Sequence, residues 1–144
     1  MRDGHLPGRS VSALLGAARY LALILAVSLA IAEAVINESR AEWQYAPLWI
    51  IDYAISASLL AGFWLTRRGR WIPILMSAYA LAAGVFYLAF FLHFDPELPE
   101  DARGSGLIVF LIGLALAASV SGLAAATLAW VRAEKGRMKL ATEP

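Results

Sequence analysis

The chain contains no cysteine. Disulfides, thiolate metal sites and cysteine nucleophiles are therefore excluded. Charge is scarce too: Asp, Glu, Lys and Arg make up 16% of the 144 residues, against about 25% in an ordinary soluble domain. Residues 71–94 and 104–131 carry no formal charge at all. There are only two histidines, and no H-E-x-x-H pairing. A nucleotide-binding glycine loop is missing, as is a Ser-His-Asp set in a matching context. The basic residues form no nucleic-acid patch, so nucleic acid is not expected as a partner.

What is present is apolar. Hydrophobic residues make up 60% of the chain, where a soluble domain has about 45–50%. They fall into four blocks, at about residues 13–36, 47–66, 71–94 and 104–131. Each is close to the ~20 residues that cross a ~30 Å hydrocarbon core as a helix. A barrel is rejected, because its strands alternate in polarity, whereas Leu107, Ile108, Val109, Phe110, Leu111 and Ile112 do not alternate. Inside lipid the remaining choice is the helix, which satisfies its own backbone. The tails and loops are too short to bury a core of their own. The expectation is one all-α domain over residues 1–144, a bundle of four transmembrane helices with short loops.

Lys and Arg placement orients the bundle. Arg2, Arg9, Arg19, Arg67, Arg68, Arg70, Arg132, Lys135, Arg137 and Lys139 fall on one side, which is ten of the twelve basic residues. Arg40 and Arg103 fall on the other, among Glu38, Glu42, Asp95, Glu97, Glu100 and Asp101. Both termini are expected to be cytoplasmic, and the location a bacterial inner membrane with the lipid bilayer as partner. Trp43 and Trp49 lie near the outer boundary, and Trp64, Trp71 and Trp130 near the inner one. A rival reading takes the first block as a cleaved signal peptide ending at Ala30-Ile31-Ala32. That block is long for a signal peptide, so retention is expected.

Small residues mark helix contacts in lipid. The first helix carries Ala18, Ala22, Ala26, Ala30 and Ala34, and the fourth Gly113, Ala117, Ser121 and Ala125. Ser58 with Gly62, and Ala80 with Gly84, mark the second and third helices. These stripes are expected to close the bundle, or one of them to form a homo-oligomer face. Leu25 is expected to face lipid.

One polar cluster stands out. Thirteen uncharged residues separate Arg19 from Glu33, and fourteen separate Asp52 from Arg67. Neither run spans the bilayer by itself. Arg19 can snorkel to the cytoplasmic face. Both carboxylates then sit roughly 21–22 Å above that face, at nearly equal depth. Asn37 is one turn above Glu33, and Ser56 one turn below Asp52. Tyr87 lies at similar depth, and His93 caps the third helix. A polar pocket of Glu33, Asn37, Asp52, Tyr87 and His93 is the candidate site. Its alternative is interfacial carboxylates that serve only as interhelix hydrogen-bonding groups.

Three functions follow. The leading one is a structural or accessory membrane partner, not an enzyme, with no cofactor and with a homo-oligomer or another membrane protein as its contact. The second is small-solute or proton- or cation-coupled transport, since neighbouring carboxylates do not both ionise easily. The third is a metal- or quinone-binding membrane protein using Glu33, Asp52 and His93, a set suited to a hard or borderline divalent ion.

Glu33 and Asn37, then Trp43, Pro47-Leu48-Trp49 and Asp52-Tyr53, then Phe90-Phe91 and His93, together resemble small bacterial four-helix membrane proteins of uncharacterised function. The resemblance covers roughly the first three helices. It implies the fold and no activity. The small multidrug transporters also have four helices and a glutamate in the first. Glu33 lies too near the outer end to match them, and the charge bias between loops departs from theirs.

A reporter active only in the cytoplasm is expected to work when fused after Pro144 or after Gly69, and to fail at Glu97. A cytoplasmic signal at Glu97 overturns the orientation.

Overall fold

The four apolar blocks are four α-helices, α1 (Arg9–Ser39), α2 (Ala46–Leu65), α3 (Ile72–Leu92) and α4 (Gly106–Thr142). The computed structural model describes residues 9–39, 46–97 and 105–142. Arg2, Arg40, Glu42, Trp43, Glu100, Asp101 and Arg103 lie outside the described residues. No strand occurs among the described residues, and each of the four helices is long and apolar enough to cross a membrane.

The packing runs around a ring. α1 lies on α2, α2 on α3, α3 on α4, and α4 closes back onto α1. Arg19, Arg67, Arg68, Arg70 and Arg132 are thereby gathered at one end of the bundle, here the basic end. Glu33, Asp52, Asp95 and Glu97 belong to the opposite half, the acidic end.

α4 continues well past the expected residue 131. Its 37 residues extend to about 55 Å at 1.5 Å per residue. Ala133, Glu134, Lys135, Arg137, Met138 and Lys139 all favour helix. Arg137 also pairs with Glu134 three residues back, at 3.2 Å. The start of α4 is capped by Ser105, whose Oγ accepts from the Ile108 amide at 3.5 Å and whose carbonyl accepts from Val109 at 3.1 Å.

A short 3-10 turn, Thr66–Arg68, links α2 to α3. Gly69 and Trp71 both take left-handed backbone, at φ 67° and φ 62°. For a tryptophan this costs about 1–3 kcal/mol. It leaves the ring exposed at the basic end and lets α3 start at Ile72 with proline in its first turn. Two interactions tie α2 down there. Thr66 Oγ1 donates to Gly62 O at 2.6 Å, and Arg19 Nε donates to Phe63 O at 3.1 Å. The Arg19 guanidinium also rests 5.0 Å from the Phe63 ring centre, and that of Arg67 lies 3.4 Å from Trp64. A cation at a helix C-terminus complements its orphaned carbonyls.

Tyr79 of α3 is the largest fully buried side chain among the described residues. Its hydroxyl crosses the bundle and donates to Ala18 O of α1 at 2.6 Å. Its ring lies on Gly122 of α4, where a Cβ would fall inside the ring. Ala18, Ala22 and Ala26 of α1 and Ser119, Ala126 and Ala129 of α4 are fully buried around it. α2 approaches α3 through Gly62, whose absent Cβ would come within 2.9 Å of Leu75 Cδ1.

The small-residue stripes are only partly as expected. On α1 the stripe packs at Ala18, Ala22 and Ala26, while Ala34 is exposed. Leu25 is buried, contrary to expectation; Ile24, Val27 and Ile31 point outward instead. On α4 Ala117 and Ser121 face outward, and the buried line runs Ser119, Gly122, Ala126 and Ala129. On α3 Ala80 and Gly84 face outward, and Leu75, Ala78, Tyr79, Ala82 and Phe86 are buried. The cause is geometric. A strict four-residue step advances about 40° beyond a full turn and slides off a straight contact face, whereas alternating steps of three and four stay on it.

Gly122→Leu is expected to lower the melting temperature in detergent sharply, since overpacking a tight core costs about 1–3 kcal/mol. Ser121→Leu, on the outward face, is expected to change little. Equal losses from the two changes would mean that Tyr79 does not pack on Gly122.

Candidate functional site

Glu33 extends the buried face of α1. That face runs Val11, Leu15, Ala18, Ala22 and Leu25, continues through the partly buried Leu29, and a further step of four arrives at residue 33. A glutamate at this position is carried inward with its apolar neighbours, and Glu33 is only 5% exposed. Asp52 stands in the first half of the antiparallel α2 and is half-buried. The two carboxyls stand close enough to act on each other, and both border one cavity. A carboxylate only accepts hydrogen bonds, so a bond between two carboxyl groups requires a proton on one of them.

Other groups near the pair are few. Ser56 lies one turn from Asp52 on the same face of α2. Its hydroxyl is buried and has no hydrogen-bond partner among the described residues. Tyr53 follows Asp52 but turns outward and meets Trp49 edge-on at 6.0 Å. α3 and the facing part of α4 bring no charged side chain to this level.

The pair borders a cavity of about 720 Å³, within the roughly 300–1,000 Å³ of small-molecule sites. α1 forms one wall, through Leu25, Ser28, Leu29 and Ala32. α3 forms the back, through Val85, Phe86 and Ala89. α4 forms the remaining wall between Ile108 and Ala118. Of the seventeen lining residues only Ser28, Glu33 and Asp52 are polar. Toward the basic end, the Tyr79 layer fills the middle of the bundle.

The gap between α1 and α4 has an identifiable cause. In the acidic half, α4 leans on α3: a Cβ on Gly113 would stand 2.9 Å from Phe90 Cε2. Among the described residues no glycine brings α1 equally close to α4 at this level, and the alanine stripe of α1 emerges there at Ala34. Ile24, Leu111 and Leu114 line the cavity while remaining 62%, 52% and 57% exposed. The cavity is therefore open sideways between α1 and α4.

The structure thus brings together two of the five expected site residues, Glu33 and Asp52. Tyr87 does not line the cavity. It is 53% exposed and packs its ring on Phe91 at 4.6 Å, because it sits one residue, about 100° of helix, away from the inward-facing Phe86. His93 does cap α3, with Nδ1–H donating to Ala89 O at 2.6 Å, and it does not line the cavity. The side chain of Asn37 lies outside the described residues. No three His, Asp or Glu side chains among the described residues come close enough to hold a metal ion together. A ligand set of Glu33, Asp52 and His93 is therefore not assembled.

Sequence reasoning missed the α4 wall and Phe86. Neither carries a polar signal, and apolar cavity walls look like any other membrane-facing residues. Compared with protein-family models, with curated proteins and with solved structures, the chain matches none, so the reading of this site rests on its own geometry.

Proposed function

We propose that this chain is a multi-pass protein of the bacterial inner membrane, with both termini cytoplasmic, and that its cavity holds a small solute or cation in exchange for a proton carried by Glu33 and Asp52. The observation that supports this reading is the pair of neighbouring carboxyls, Glu33 and Asp52, at the edge of an open and otherwise apolar cavity. Intramembrane ionisable groups are rare and concentrate at substrate and proton pathways. A pair that shares one proton carries one negative charge instead of two. An arriving cation takes the place of that proton without raising the charge left in the membrane.

The accessory-partner reading treats the same pair as an interhelix tie. A tie has no need of an adjoining cavity, and here α1 and α4 part beside the carboxyls. The geometry therefore favours binding and exchange over glue. The metal-centre reading lacks its third ligand. The quinone reading loses His93, the one donor it names outside the carboxyl pair, which does not line the cavity.

Infrared titration of the carboxyl bands in reconstituted protein tests the exchange site. The wild type is expected to take up its protons in two separated steps that belong to the pair. Asp52→Asn and Glu33→Gln are each expected to leave a single step with the helical fold intact. Two independent, solvent-like titrations in the wild type would mean that the carboxyls are merely interfacial.

A further inference from the structure

We infer that the cavity takes an amphiphilic organic cation, with its charged nitrogen against Glu33 and Asp52 and its apolar body along α1 and α4, and that the ligand enters sideways from the bilayer. This rests on the exchange reading above and names its substrate class.

Charge selects the head group. Among the described residues the cavity is lined by two carboxyls and by no Lys, Arg or His. An anion finds no partner there. A neutral acceptor such as a quinone needs fixed hydrogen-bond donors, and the described lining offers only the Ser28 hydroxyl beside two carboxyls whose oxygens chiefly accept. A cation meets the opposite need: it supplies donors or charge to those oxygens, and the Phe86 ring in the back wall adds a face that attracts a cation. A small hydrated metal ion fits poorly. Fourteen of the seventeen described lining residues are apolar, and no third carboxylate or imidazole is close among the described residues. A dehydrated inorganic ion would leave most of its coordination empty, whereas an organic cation covers the apolar wall with its own carbon.

The side opening selects the route. Ile24, Leu111 and Leu114 present apolar edges to the outside of the bundle at the same level at which they line the cavity. A ligand dissolved in the lipid tails passes between them without crossing water. Toward the basic end the fully buried Tyr79 ring packs against Gly122 of α4. The ligand thus reaches the pair from the acidic half of the bilayer and leaves its body between α1 and α4.

The test uses the full chain in phosphatidylcholine nanodiscs and two probes of one shape. One is 4-phenylbutyl-trimethylammonium, whose charge is fixed at every pH. The other is its neutral isostere with carbon in place of nitrogen. Saturable binding is expected for the ammonium and not for the isostere, with proton release into weakly buffered medium. Glu33→Gln with Asp52→Asn is expected to weaken the ammonium by at least about tenfold. Ala118→Trp, which fills the cavity and leaves the carboxyls in place, is expected to abolish binding while the two-step infrared titration persists. Circular dichroism and melting identify any variant that fails to fold, and Ala115→Phe then replaces Ala118→Trp.

Equal binding of both probes, or ammonium binding indifferent to the cavity-filling change, overturns the inference. The two readings fail separately. Two-step titration with no ammonium binding sinks the organic-cation inference and leaves the exchange site. Saturable ammonium binding without proton release supports the ligand class and sinks the exchange.

Discussion

Close approach of three helices around Tyr79 is the constraint from which the rest of the bundle follows. Its hydroxyl reaches Ala18 O only because Ala18, Ala22 and Ala26 hold α1 near, and its ring fits only because Gly122 has no side chain. Among helices in lipid there is little hydrophobic force to draw them together, so such contacts rest on dispersion and on hydrogen bonds worth about 0.6–2 kcal/mol each. Both are short-ranged. They close the half of the bundle nearer the basic end and do not extend to the other half. There α4 follows α3 through Gly113 and Phe90, and α1 follows α2. The cavity is what remains between two helix pairs that are pinned at one level and part above it.

That same opening explains why two carboxyls can be neighbours in an apolar bundle. Insertion scales put a central Asp at roughly 2.5–3.5 kcal/mol. In the proposed bilayer setting Glu33 and Asp52 reduce such a cost in three ways: they lie away from the midplane, they stand close enough to hold one proton between them, and they border a space that admits a counter-charge. The unpartnered Ser56 hydroxyl one turn below shows that polarity extends inward from the pair on the same face of α2. At the basic end the charges are handled differently. Arg19 and Arg67 reach carbonyl and aromatic partners on α2, so no basic side chain is needed beside the acids.

The helices were legible in the sequence because four apolar blocks each have the length and composition of a membrane-crossing helix. The equal depth of Glu33 and Asp52 was legible for a related reason: the rise per residue is fixed, so counting from Arg19 and Arg67 gives height. Direction around the helix was much less legible. Tyr87 has the right height and the wrong azimuth, one residue from Phe86. Ala117 and Ser121 belong to a four-residue repeat that drifts off the contact face, while the face itself keeps the three-and-four spacing of Ser119, Gly122, Ala126 and Ala129. Leu25 was misplaced for the same reason, being next to Ala26 on a contact face wide enough for both. The cavity was not legible at all. A void has no residue of its own, and its walls are leucine, isoleucine and alanine, like the rest of the surface.

The central claim is that Glu33 and Asp52 touch at the edge of this cavity. Solid-state NMR on protein labelled with ¹³C in the Asp and Glu side-chain carboxyls, reconstituted in bilayers, tests it most directly. The account predicts a carboxyl-to-carboxyl correlation that disappears in both Glu33→Gln and Asp52→Asn when the new amides are left unlabelled. It also predicts that this correlation weakens when an organic cation is bound and the shared proton is released. Two carboxyl signals with no correlation in the wild type, each unchanged by substitution of the other residue, would contradict it.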